Sequence, residues 1–322
     1  MSALSLCSGV RALDKAVEEI TGEPTVVYAE KDPWAARVMA TELPGVENLG
    51  GIDRVDWAEV AARYPNLRRT INGWPCQGIS HNGHRLGLDD PRSGLWRNVA
   101  QAVDIIRPDE AYFENVAALK TRGLDVVSDH LNRLGYDLYW TITTAASVGA
   151  PHTRPRWFGY AAPGVGITVE VPAPAPTVEP VPRLLPTPKA SDGPNGGPNQ
   201  RDGAGNYYLP GIAVRLDEQW RIPELGHDYG PAIRRWERIL GRPAPTPTTP
   251  DARGNLRLSP AFTEWVMGLD EGLITRHTDM PRPQQIKRAG NSVVTLQAVA
   301  AYRALIAAAG SAPQTLALDI AA

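Results

Sequence analysis

The tightest constraint on the fold lies in the first thirty residues of this 322-residue chain. Residues 3–9 (Ala-Leu-Ser-Leu-Cys-Ser-Gly) read as a short buried strand ending in a turn. Arg11 to Ile20 then shows helical spacing, with Leu13, Ala16, Val17 and Ile20 on one face. Thr25 to Glu30 is a second strand ending in an acid, about twenty residues after the first turn. The alternation continues. Asp32 followed by Pro33 signals a helix start, and Leu95–Ile106 and Val126–Leu134 read as further helices. Glu110–Val116, Tyr136–Thr144 and Arg156–Tyr160 read as strands. This order predicts an α/β fold with a mostly parallel, doubly wound sheet and helices on both faces.

In a Rossmann-like fold the backbone N–H groups of the first turn face a ligand. The carboxylate ending strand two accepts hydrogen bonds from ribose hydroxyls. Ser8, Gly9 and Glu30 stand at those places, although a turn with one glycine is equally an ordinary strand-to-helix connection. The loop Gly50-Gly51-Ile52-Asp53 is either an adenine-side contact or a simple turn.

From about residue 161 the texture changes to Pro-, Gly- and Asn-rich chain without periodicity. A second Pro-rich connector, Arg242–Pro250, follows. The expected organisation is a main α/β domain at 1–160, a smaller irregular domain at 161–256 and a returning segment at 257–322. Net charge is only −2, so a nucleic-acid surface has to come from local clustering. Arg201, Tyr207, Arg234 and Arg235 in the irregular part are candidates for such a surface, or members of a solvated face. Cys7 and Cys76 are the two cysteines. They argue against a disulfide framework or a zinc site and suit a reducing cytosol, and no metal is expected. No apolar run suggests a membrane span or leader, which predicts a cytoplasmic protein without membrane contact.

Cys76 follows the strand-like run Arg69-Thr70-Ile71 inside Asn72-Gly73-Trp74-Pro75-Cys76-Gln77-Gly78-Ile79-Ser80. Pro75 fixes its own φ and biases Trp74 to extended geometry, so the thiol sits on a stiff turn. It is a nucleophile candidate or a small buried hydrophobe.

Pro75-Cys76-Gln77 with Ser80, Glu114-Asn115-Val116, Arg154-x-Arg156 and Gly290-Asn291-Ser292-Val293 occur in the order and rough spacing of the DNA (cytosine-5) methyltransferase family, which the chain resembles over nearly its whole length. The resemblance implies a class I S-adenosylmethionine-dependent methyltransferase fold. It also implies that the irregular insert takes the place of a target-recognition domain. It assigns Cys76 as the nucleophile adding to C6 of cytosine and Glu114 as the proton holder at N3. Arg156 is assigned to the cytosine O2, with Arg154 in support. It implies cofactor contacts from Ser8, Gly9, Glu30, Ile52, Pro75, Leu95, Asn291 and Ser292, with Arg11, Lys31 and Asp53 nearby. Double-stranded DNA is the implied partner, met by Gln77, Ser80, His81, Arg85 and Arg92 on a loop that closes beside the nucleophile, with the base flipped out. A monomer is expected, with a cognate restriction enzyme left open.

The chain departs from the family at four places. Arg11-Ala12 replaces a usual Gly-Gly pair, Lys31 a frequent aromatic residue, Gly51 a frequent Asp, and His152 a Gln. Arg11 either pairs with an acid or faces the donor. In the second case it would suit a carboxylated S-adenosylmethionine through bidentate pairing. A catalytically silent DNA-binding homologue and an RNA-directed cytosine methyltransferase are the alternative functions.

Overall fold

The computed structural model describes residues 2–75 and 94–311. Eight strands form one sheet: β1 (Ser2–Leu6), β2 (Thr25–Ala29), β3 (Glu47–Asn48), β4 (Leu67–Asn72), β5 (Glu110–Val116), β6 (Tyr136–Thr144), β7 (Pro155–Pro163) and β8 (Thr168–Glu170). Their order is β3-β2-β1-β4-β5-β7-β6-β8. The chain winds outward in one direction from β1 through β2 and in the other through β4. The carboxyl ends of β1 and β4 therefore flank a switch point, where open α/β sheets form their ligand crevice. β7 is antiparallel to both its neighbours, and the other pairings within this sheet are parallel. The doubly wound, mostly parallel sheet expected from the sequence is the one observed.

The helices threaded between these strands are α1 (Ala12–Thr21), α2 (Pro33–Glu42), α3 (Trp57–Arg63), α4 (Trp96–Ile106), α5 (Leu119–Arg122) and α6 (Leu124–Arg133). α2 starts as its sequence dictates. Asp32 Oδ1 accepts from the Trp34 and Ala35 amides, and Pro33 occupies the first helical position. After the sheet come α7 (Leu209–Ala213), α8 (Gly230–Leu240), α9 (Pro260–Val266), α10 (Arg282–Asn291) and α11 (Thr295–Ser311).

Successive strand residues face opposite sides of the sheet, and β5 feeds two cores in that way. Ala111 and Phe113 join Trp96, Val99, Val127 and Leu131 from α4 and α6. Tyr112 points the other way, to Ala16 and Val17 of α1 and Tyr302 of α11. The Tyr302 hydroxyl also donates to the Phe113 carbonyl at 2.9 Å, seating α11 under β5. The stretch Arg282–Ser311 is long and apolar enough to cross a membrane by length and composition alone, but residues 292–294 separate it into α10 and α11. Here its apolar residues Ala298, Ala301, Tyr302 and Leu305 are buried in that core.

Two boundaries move. The division expected at residue 160 falls inside β7, and β8 extends the main sheet to Glu170. Beyond it, the insert contains short helices and two small antiparallel pairs, 221–222 with 227–228 and 248–250 with 256–258. Too little regular structure is present there to enclose a core of its own. Its apolar residues Leu209, Ile212, Ile233 and Trp236 join the same cluster as Phe262 and Trp265 of α9. Asn291 is the last residue of α10.

Candidate active site

The crevice begins where β1 ends. Cys7, Gly9 and Arg11 all take left-handed backbone conformations, with φ of 55°, 59° and 70°. This tight turn carries the chain from β1 into α1. Its anchors are the Cys7 amide on the Ala29 carbonyl (2.9 Å) and the Gly9 amide on Glu30 Oε2 (2.8 Å). The other Glu30 oxygen accepts from the Asp32 amide at 2.8 Å. Burial, more than any neighbour, raises the Glu30 carboxyl above its ordinary range. Among the described residues the Ser8 hydroxyl is buried without a hydrogen-bond partner, and none of them lies within 4 Å of where a Gly9 side chain would project. An unsatisfied donor, an open approach to backbone and a carboxylate ending strand two fit a nucleoside-bearing cofactor. Ser8, Gly9, Glu114, Asn291 and Ser292 line a common cleft, so five of the residues singled out from sequence meet there.

The catalytic side is organised by β4, β5 and β7. The Gly73 amide donates to the Leu6 carbonyl (3.1 Å), and Asn115 Nδ2 donates to the Trp74 carbonyl (3.0 Å). Trp74 itself is buried against Trp96, Phe113 and Trp157. The backbone is thereby pinned at both residues before Pro75, beside the end of β5. Cys76, Gln77, Ser80, His81, Arg85 and Arg92 lie outside the described residues.

On β5, Glu114 is paired to Arg156 Nε of β7 at 3.0 Å. Burial pushes the Glu114 carboxyl upward, against the opposing pull of Arg156 and Arg154. A half-buried carboxyl on a guanidinium has one face committed to the ion pair, and it is also a lining residue of the cleft. Arg154 has a different task. Its φ is 37° and it is 2% exposed. Its guanidinium donates to the carbonyls of Pro188 (3.2 Å), Gly290 (3.1 Å) and Ser292. It ties β7 to the start of the insert and to the α10–α11 junction, and burial pulls its pKa down to about 9. His152 is fully buried with Nε2 3.2 Å from the Val266 carbonyl, and burial depresses it to about 3, so it is neutral.

Arg11 is taken up by acids: its Nη2 is 2.7 Å from Glu18 and its Nη1 3.7 Å from Glu42. Neither Arg11 nor Glu30 is among the residues lining the cleft. The acid-pairing alternative is the observed one, because two carboxylates stand within reach of a side chain that leaves the turn on its outer surface. Lys31 is exposed. An added Cβ at Gly51 would meet Asp53 Oδ1 at 2.6 Å, so the Asp53 carboxylate folds over the glycine that replaces the usual Asp. Ile52 is buried in the α4-side core, and Leu95 packs on the same core at the start of α4; neither lines the cleft. Pro75 is exposed.

Among the residues expected on DNA, Arg235 is a correction. It is 7% exposed and donates to the carbonyls of Gly149 (3.0 Å), Glu179 (2.8 Å) and Ala150 (3.1 Å). On α8 it shares the inner face with Trp236, while Arg234 is exposed. Arg201 is engaged locally: it lies 3.6 Å over the Tyr207 ring and donates to the Gly205 carbonyl and the Tyr207 hydroxyl. Arg215, not noticed in the sequence, stands 4.0 Å from the same ring. Also missed was Arg288, which pairs with Asp32 at 2.6 Å. The burial of Gln285, Ile286 and Ala289 along α10 follows helical spacing, a signal present in the sequence.

A family model described as C-5 cytosine-specific DNA methylase matches residues 1–180. The type II methyltransferase M.CviJI of Paramecium bursaria Chlorella virus IL3A is 37% identical over 156 residues, 48% of this chain and 41% of that protein. M.NlaIV of Neisseria lactamica is 28% identical over 169 residues, 48% of this chain and 39% of that protein. The chain thus spans about two-fifths of the length of the curated relatives it matches. Among solved structures, the S. pombe Dnmt2 methyltransferase superposes with a TM-score of 0.63 at 15% identity, covering 97% of this chain and 99% of the other. The Entamoeba histolytica methyltransferase EhMeth gives 0.58 at 14% identity, with 96% and 98% covered. At such identities the likeness is one of fold.

Proposed function

The chain belongs to the C-5 cytosine-specific DNA methylase family, and on that premise we propose that it transfers a methyl group from S-adenosylmethionine to C5 of a cytosine flipped out of a specific duplex DNA sequence. The carrying observation is the Glu114–Arg156 pair at the cleft that also holds Ser8, Gly9, Asn291 and Ser292. Ser8, Gly9 and Glu30, with Asn291 and Ser292, are the residues that would hold the donor. When bound, the donor supplies a sulfonium-activated methyl as the electrophile.

The protein's share of the chemistry follows from its side chains. C5 of cytosine is a poor nucleophile while the ring is aromatic. The Cys76 thiolate adds to C6 and breaks that aromaticity, leaving C5 enamine-like. Negative charge would otherwise develop toward N3, where Glu114 would deliver a proton; burial raises the affinity of that carboxyl for one, against the pull of Arg156 and Arg154. Arg156, paired with Glu114, would bond the cytosine O2. Loss of the C5 proton and expulsion of Cys76 then restore the ring. C6 is shielded in a stacked duplex, so the base has to leave the helix.

The carboxylated donor loses its physical support, since Arg11 is paired to Glu18. Arg11→Gly should leave the transferred group a methyl, as read by product mass. The direct test of the main reading is covalent trapping on 5-fluorocytosine duplex DNA. A donor-dependent adduct with wild type and none with Cys76→Ser is the expected result. Specific binding without adduct would support a silent binder, and an adduct formed preferentially on tRNA would support the RNA-directed alternative. A monomer acting in a reducing cytosol suits this reading, with or without a restriction partner.

A further inference from the structure

The α10 helix meets the cofactor turn at one point. Arg288 is 6% exposed, and its Nη2 lies 2.6 Å from Asp32 Oδ2 and 3.1 Å from Gln284 Oε1. The two oxygens of Asp32 divide their work. Oδ1 caps α2 through the Trp34 and Ala35 amides, and Oδ2 takes Arg288. The Asp32 amide in turn donates to Glu30 Oε1 at 2.8 Å, while Gly9 holds Glu30 Oε2 at 2.8 Å. Three residues after Arg288, α10 ends in Asn291, and Asn291 and Ser292 line the cleft.

A side chain 256 positions away in sequence thus grips the turn that aims the ribose-side carboxylate. A carboxylate selects ribose hydroxyls only if its plane is fixed. Here one of its two anchors is the amide of a residue whose own position is set by an ion pair. A charge-assisted bond at 2.6 Å whose guanidinium end is buried, though the Asp32 carboxylate is one-third exposed, restrains the turn from outside it. Arg288 also lies outside the segment matched by the family model, residues 1–180.

We infer that Arg288 is a positioning residue for the nucleoside half of the donor: through Asp32 it fixes the Glu30 turn, and so couples donor binding to the docking of α10. The inference rests on the donor reading proposed above. Arg288 touches no donor atom in this account, and its effect is on affinity rather than on the reacting centre.

The test uses the full-length protein and S-adenosylhomocysteine as the probe, with binding measured by calorimetry. Arg288→Gln should weaken binding by about tenfold and raise the donor KM by a similar factor, with kcat changed by less than about twofold. Asp32→Asn keeps the α2 cap, because Asn caps as well as Asp, yet it weakens the ion pair and should reproduce the loss. The double variant should bind no worse than the poorer single one, since both remove the same link. Arg288→Lys should recover part of the affinity. Should Arg288→Gln fail to fold, Asp32→Asn alone carries the test. Wild-type binding with unchanged affinity in the variants, or additive losses in the double variant, overturns the inference and leaves the donor reading intact. Absence of binding to wild type overturns the donor reading, and the inference with it.

Discussion

Arg235 and Arg234 are adjacent on α8 and should fail in opposite ways. Arg235 is buried and gives three hydrogen bonds to the carbonyls of Gly149, Ala150 and Glu179. Replacing it with Met keeps much of the apolar stem but strands those carbonyls. Each buried orphan costs about 1–3 kcal/mol, or about 2–6 kcal/mol for the two buried carbonyls of Gly149 and Ala150, while exposed Glu179 can turn to water. The loss is offset by release of a guanidinium whose burial already disfavours its charge. A net cost of about 2–4 kcal/mol is expected for Arg235→Met. With about 2 cal/mol/K of unfolding entropy per residue over 322 residues, each kcal/mol is worth about 1.5 °C, so the melting temperature should fall by about 3–6 °C. Arg234→Ala removes an exposed side chain and should change stability by less than about 0.5 kcal/mol. If α8 faces the DNA backbone, that variant should lower the slope of log affinity against log salt by about one. Scanning calorimetry and a salt series of duplex-binding titrations measure both. An Arg235→Met protein that melts with wild type but loses salt dependence would refute the assignment of Arg235 to the interior.

Asp14 is fully buried, and burial raises its carboxyl from 3.8 to about 6. The folded state therefore holds this proton more tightly than the unfolded state. Its contribution is complete below about pH 4 and is lost as pH rises through 6. At about 1.4 kcal/mol per pH unit this amounts to roughly 3 kcal/mol. Asp14→Asn should flatten that part of the denaturation profile between pH 4 and 7, and parallel profiles would contradict the assignment. A Cβ at Gly193 would meet the Pro283 carbonyl oxygen at 2.1 Å. Gly193→Ala should accordingly cost about 3 kcal/mol in thermal melts, while Gly197→Ala, with open space beside it, should cost less than about 0.5. Burial lifts the Cys7 thiol to about 12. Iodoacetamide at neutral pH should leave Cys7 unmodified until the protein is denatured, as read by peptide mass mapping.

The parts of this structure legible in the sequence are those fixed by short-range rules. The β1–α1–β2 unit follows from apolar spacing and a turn, and α2 from Asp32 and Pro33. Glu30 could be placed because a strand end fixes its side chain within a few residues. What sequence reasoning got wrong depended on partners far along the chain. Arg235 and Arg234 are indistinguishable as letters; only the rotation of α8 against Gly149 separates an anchor from an exposed charge. Arg11 was ambiguous because its carboxylate partners sit 7 and 31 positions away. The boundary at 160 failed because the change in composition at about residue 161 falls inside β7, and pairing in the sheet continues to β8.

These long-range partners share a pattern that bears on how the site works. Arg154 joins β7 to Pro188, Gly290 and Ser292. Arg288 joins α10 to the Glu30 turn through Asp32. Gln297 of α11 donates to the carbonyls of Thr143 and Arg154. Each link has one end on the sheet's carboxyl edge and the other on the chain that returns after the insert. The cleft is thus assembled from two segments separated by the insert, and its closure depends on side chains reaching across rather than on either segment alone. Pro188 of the insert shares the Arg154 guanidinium with the carbonyl of Ser292 in the cleft wall, so a single buried side chain joins the insert to the cleft.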